Sequence, residues 1–212
     1  MLRLSPILRG LGRALASYLS QPNPRFHPIT TIAPEALAAA IRPGDVLLVE
    51  GDTRISSAIK YLTQSTWSHA ALYVGDRMGR STDTGEPLDL IEADIKAGVR
   101  AVPLSRYQNF HTRICRAVGL TPEDMQSVIG YAISRIGQQY DLRNVMDLAR
   151  YLISTPPVPV RWRRRMLALG SGEPTRAICS TLIAQAFQSV RYPILPTIQR
   201  LPSDDPDCND CY

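Results

Sequence analysis

Between Val46 and Val118 the chain is divided into short apolar runs, each too short for a stable helix and each closed by turn residues. Five of them read as strands, at residues 46–50, 69–74, 88–93, 98–103 and 113–118. Four residues separate the third from the fourth and nine the fourth from the fifth, too few for a crossover helix, and between the first two one helical pattern, Ile55, Ala58, Ile59 and Leu62, suggests a helix over 56–63. Consecutive short strands with so little between them imply a largely antiparallel sheet.

Helical patterns flank this region. Pro34 to Ile41 is alanine-rich with proline near its first turn, and Arg42-Pro43-Gly44-Asp45 reads as a turn. Thr121-Pro122-Glu123-Asp124 joins an N-cap, an N1 proline and two first-turn acids, which starts a helix running to about Arg135, with Gly137 as its stop. Further helices are expected over 144–153 and from Cys179 to Val190, the latter through Leu182, Ile183, Ala186 and Phe187. The fold class is therefore α+β, an antiparallel sheet with flanking helices. At 212 residues the chain is long enough for one substantial core without staples. We divide it into a basic extension over 1–34, a domain over 35–194 and a Pro- and Asp-rich tail over 195–212.

Charge is concentrated rather than spread. Arg3, Arg9, Arg13 and Arg25 stand in residues 1–34 with no acid, and Arg161, Arg163, Arg164, Arg165 and Arg176 oppose only Glu173 in residues 157–178. Each patch carries +4 against a whole-chain charge of +5, so everything else sums to −3. In the first patch leucines recur at helical spacing among the arginines, the pattern of a helix that docks on the domain or lies on an anionic membrane surface. The arginine run has no recognised nucleic-acid module around it, so nucleic acid is not expected as a partner. No apolar run reaches the roughly 20 residues that a membrane-spanning helix needs, and arginines interrupt the N-terminal apolar residues where a secretory signal would be uninterrupted. The expected location is cytoplasmic, with peripheral membrane association. The four cysteines are too few and too unevenly placed for a disulfide framework.

Cys179 follows a loop containing Gly172 and Pro174 and opens a helix, where backbone amides and the helix dipole favour a thiolate and can hold an oxyanion. The alternative is a buried structural cysteine, which the apolar helix also permits. His69 opens the strand His-Ala-Ala-Leu-Tyr-Val and is the best placed of three histidines for general-base work. His27 lies among prolines in a linker and His111 at a turn, both reading as solvated. Glu92 is an acid inside the apolar run Leu90-Ile91-Glu92-Ala93, where it must find a partner or an edge. Orienting the His69 ring and a strand-end salt bridge both satisfy that requirement.

Taken in order, Gly44-Asp45-Val46-Leu47-Leu48, Ser68-His69-Ala70 with Leu72-Tyr73-Val74-Gly75, Ile91-Glu92-Ala93 with Gly98-Val99 and Pro103-Leu104, Gly137-Gln138-Gln139-Tyr140-Asp141 and Cys179-Ser180-Thr181-Leu182-Ile183 resemble the circularly permuted papain-like amidases of YiiX/YaeF type. These are relatives of NlpC-type cell-wall peptidases and of lecithin retinol acyltransferase-like enzymes. The resemblance spans roughly residues 43–190. It implies a papain-like core in which the histidine strand precedes the cysteine helix, with Cys179 as nucleophile, His69 as base and Glu92 orienting His69. It implies a thiol hydrolase that cleaves an amide in a cell-wall peptide or a lipid-linked amino acid through a thioester, with no cofactor. Lipid acyl transfer by the same chemistry and a non-catalytic lipid-binding adaptor are the alternatives. Ser68 and Tyr73 are expected to line the cleft, although edge packing explains Tyr73 equally well. Cys208 and Cys211 have metal-like spacing without a second ligand pair, so we expect no metal and read them as tail thiols.

Overall fold

The computed structural model describes residues 17–24, 26, 29, 30, 32–139 and 178–194. His27, most of the N-terminal helix, the helix expected over 144–153, the Arg161–Arg165 run and the tail with Cys208 and Cys211 lie outside the described residues.

Five strands form one sheet: β1 (Val46–Val49), β2 (His69–Tyr73), β3 (Leu90–Asp94), β4 (Gly98–Val102) and β5 (Thr112–Cys115). Every pairing is antiparallel and the spatial order is β4-β3-β2-β1-β5. The last strand departs from a simple meander. After β4 a 3-10 turn at Leu104–Tyr107 carries the chain across the sheet, and β5 pairs with β1 instead of extending the edge beyond β4.

The helices are α1 (Pro34–Ala40), α2 (Arg54–Thr63), α3 (Pro122–Ser134) and α4 (Ile178–Gln188). Local chemistry accounts for the starts of α2 and α3. Thr53 caps α2 by accepting from the Ser56 N–H, and Thr121 caps α3 by accepting from the Asp124 N–H at 3.1 Å, with Pro122 in the first turn. Beyond α3, Gly137 takes a φ of 88°, and the chain leaves toward β4, where the Gly137 N–H donates to the Val99 carbonyl.

Alternation along the strands sorts the core into two layers. On one face Ala70, Leu72, Val74, Ile91, Ala93 and Val99 meet Val128, Ile129 and Ala132 of α3 and Leu182, Ile183, Ala186 and Phe187 of α4. On the other face Leu47, Val49, Ala71, Leu90 and Val102 meet Leu37, Ile41 and Tyr107. Leu47, Leu72, Leu90 and Ile91 are completely buried, each contributing about 1.5–3 kcal/mol of transfer free energy. The last residues of the N-terminal extension also join the domain: Leu19 is buried, Pro22 bridges Thr53, and the Arg54 guanidinium lies over the Tyr18 ring. No helix among the described residues is long and apolar enough to cross a membrane.

Candidate active site

A tight turn sets up the site. Gly98 takes a φ of 74°, and Asp94 Oδ1 accepts the N–H groups of Lys96 and Ala97 at 2.8 Å each, folding β3 back onto β4. This register places Glu92 opposite Arg100 on one side and opposite Ala71 on the other. Two residues along β2 from Ala71, on the same face, stands His69.

His69 Nε2 and Glu92 Oε2 are 2.8 Å apart. The same carboxylate oxygen accepts the hydroxyl of Tyr107, whose ring lies 5.8 Å from the imidazole. The other oxygen, Oε1, takes Arg100 through Nε at 2.9 Å and Nη2 at 2.8 Å, and the Arg106 guanidinium stands 3.8 Å away. Arg100 also reaches Asp94 at 3.3 Å. Glu92 is only 2% exposed, so an uncompensated charge there would be expensive. Burial does push its pKa up, but the His69 and Tyr107 hydrogen bonds and the Arg100 charge outweigh it and hold the carboxyl at about 2. Tyr107, buried beside that anion, is pushed above the ordinary phenol range and stays a donor.

Around this cluster lie the other residues singled out above. Ser68 is buried and its hydroxyl accepts the Gly51 N–H at 2.9 Å, tying the end of β1 to the start of β2. Tyr73 is half-buried at the far end of β2, against the apolar layer that holds Leu47 and Val102. His111 is not the solvated loop histidine expected: its Nδ1 lies 3.2 Å from Glu50, which also binds Lys60, and its ring packs on Trp67 at 4.9 Å. Among the described residues no group of His, Cys, Asp and Glu could hold a metal ion.

Cys179 belongs to α4, which packs against β2 and β3. In sequence Cys179 stands in the first turn of α4, ahead of Leu182, Ile183 and Ala186, which are buried; the surroundings of its side chain lie outside what is described. The structure joins His69 to Glu92 on the sheet face that holds Ala71 and Tyr107, and packs the buried residues of the cysteine helix on the other face of the same two strands. The Glu92 partners Arg100, Arg106 and Tyr107 were not anticipated from the sequence. Arg100 was within reach of it, since counting across the Asp94–Gly98 turn puts it opposite Glu92. Tyr107 has no local signal.

A single antiparallel sheet, with the histidine strand preceding the cysteine helix that packs on it, is the α+β architecture of a papain-like fold in permuted order. The model for the permuted papain-like amidase enzymes, YaeF/YiiX, C92 family, matches residues 40–152, and the chain belongs to that family. The matched stretch contains His69 and Glu92 and ends before Cys179. The probable lipoprotein peptidase YaeF of Escherichia coli (strain K12) is 22% identical over 176 residues, which cover 76% of this chain and 60% of that protein.

Proposed function

We propose that this chain hydrolyses an amide bond through a thioester on Cys179, with His69 as general base and acid and Glu92 orienting His69. The observation that carries this reading is the 2.8 Å contact of His69 Nε2 with a buried, ionised Glu92, on two adjacent strands whose other face carries the Cys179 helix. With Nε2 bound to the carboxylate, proton transfer falls to Nδ1. His69 takes the thiol proton, and the thiolate adds to the amide carbonyl carbon. The resulting oxyanion is held by backbone N–H groups at the start of the cysteine helix. Collapse breaks the C–N bond, and the amine leaves with the proton from His69. Water, deprotonated by His69, then cleaves the thioester, releasing the acid and restoring the thiol.

For the substrate we propose a peptide or lipid-linked amide. Membership in an amidase family supports the reaction class, and the name of the Escherichia coli relative, a probable lipoprotein peptidase, supports a substrate that joins peptide and lipid. The test is a panel of cell-wall peptides and fatty-acyl amides, assayed for release of free amine and free acid with wild type and Cys179→Ala. Hydrolysis of one class by wild type alone supports the proposal. Amine release that persists in Cys179→Ala overturns it.

A further inference from the structure

Glu92 Oε2 serves two donors at once, His69 Nε2 and the Tyr107 hydroxyl, while both Arg100 contacts go to the other oxygen. A carboxylate that orients a histidine also stabilises its protonated form, and it does so less when its electron density is drawn to a second strong donor. We propose that Tyr107 is a positioning residue that sets the proton affinity of His69 by competing with it for one oxygen of Glu92.

Three features of the fold support this role. Tyr107 sits on the 3-10 turn at Leu104–Tyr107, outside the strands that carry His69 and Glu92, so its hydroxyl is delivered from a third element. The residue is buried, 6% exposed, which keeps water from replacing it on Oε2. Its ring is fixed from behind by Phe110, edge-on at 5.9 Å. Among the described residues, the charged and titratable groups that reach Glu92 beside His69 are Tyr107 and Arg106 from the 3-10 turn and Arg100 from β4, with Asp94 of β3 behind Arg100. Arg100 and Arg106 keep Glu92 ionised, so the competition concerns how strongly an anion binds His69 and not whether the anion exists. Without Tyr107, Oε2 turns wholly to His69 and the imidazolium gains.

The direction is specific: Tyr107→Phe raises the His69 pKa, by about half a unit to one unit. Simple loosening of the packing would leave it unmoved or send it toward the value of a solvated imidazole. The inference rests on the proposed role of His69 only for its kinetic consequence, so the primary measurement omits catalysis. Imidazole resonances are titrated by NMR in full-length Cys179→Ala, with His27→Gln and His111→Gln used for assignment. Tyr107→Phe should shift the His69 midpoint upward, whereas Phe110→Leu, which removes the ring behind Tyr107 and keeps the hydroxyl, should not. An unchanged or lowered midpoint in Tyr107→Phe overturns the inference, as does an equal shift in Phe110→Leu. In the nucleophile-intact chain the acid limb of kcat/KM should rise by the same amount with little change in KM. An NMR shift in a chain that hydrolyses no amide leaves this inference standing and removes the proposed function. Cys179-dependent hydrolysis without the NMR shift does the reverse.

Discussion

Replacing Asp89 with asparagine should stabilise the protein at neutral pH and not in acid. Asp89 precedes β3 and is 8% exposed, with Oδ1 lacking any hydrogen-bond partner among the described residues. Burial pushes its carboxyl up from 3.8 to about 6; the N–H groups of Leu104 and of Asp89 itself oppose that rise, and the Glu86 charge adds to it. Tyr73 is raised in turn by its own burial and by the charges of Asp89 and Asp76. At 1.36 kcal/mol per unit, a rise of about two units means that keeping Asp89 ionised costs the fold about 3 kcal/mol. The sign follows from proton counts: between pH 3.8 and about 6 the native state binds more protons than the unfolded chain, so stability falls as pH rises and the full cost is present above about 6. Asparagine removes the charge but buries an amide donor, at about 1–2 kcal/mol if unpaired, leaving a net gain of about 1–2 kcal/mol. For a chain of this size that raises Tm by roughly 3–6 °C. Thermal and urea melts of wild type and Asp89→Asn at pH 7.5 and pH 3.5 measure it. Equal stability at pH 7.5, or the same gain at both pH values, would mean that the Asp89 charge does not destabilise the fold.

Glu92→Gln should lower kcat/KM by about 100-fold or more, yet less than Cys179→Ala, and should flatten the pH–rate profile, which initial rates between pH 5 and 9 will show. Because the folded-state pKa of Glu92 is depressed, its contribution to stability is complete above about 4.5 and disappears as pH falls through about 2; acid unfolding of Glu92→Gln should therefore be shallower in that window. Gly98→Ala should destabilise by more than about 1 kcal/mol in denaturant melts, since Gly98 takes a φ of 74° and a Cβ there would stand 2.2 Å from the Gln138 carbonyl oxygen. Peripheral membrane binding through the two basic segments should appear as co-sedimentation with anionic but not neutral vesicles, weakened by salt and by deletion of residues 1–16, which leaves the docked Leu19 in place. Absence of binding at low salt eliminates that partner.

The strands of the sheet were readable because each carries its own apolar run, and β1 to β4 lie in space as they do in sequence. The α3 start was readable for a similar reason: Thr121, Pro122 and Asp124 act within one turn. What escaped was non-local. Nothing within Thr112–Cys115 says that this strand pairs with β1, because that pairing is decided by the path of the chain across the sheet. His69 and Glu92 were identified as residues out of place in apolar strands, but the identity of their partners depends on register and on the 3-10 turn. His111 reads locally as a solvated turn residue because its partners, Glu50 and Trp67, stand 61 and 44 positions earlier in the chain.

If Cys179 carries the acyl group, mass spectrometry of the enzyme acid-quenched during turnover of an amide substrate will find it there. The expected mass increase equals the acyl group minus one hydrogen and is confined to the peptide containing Cys179. The adduct should be lost in Cys179→Ala and greatly reduced in His69→Ala, and it should disappear with hydroxylamine as a thioester does. An adduct on Cys115, Cys208 or Cys211, or undiminished amide turnover by Cys179→Ala, contradicts that role for Cys179.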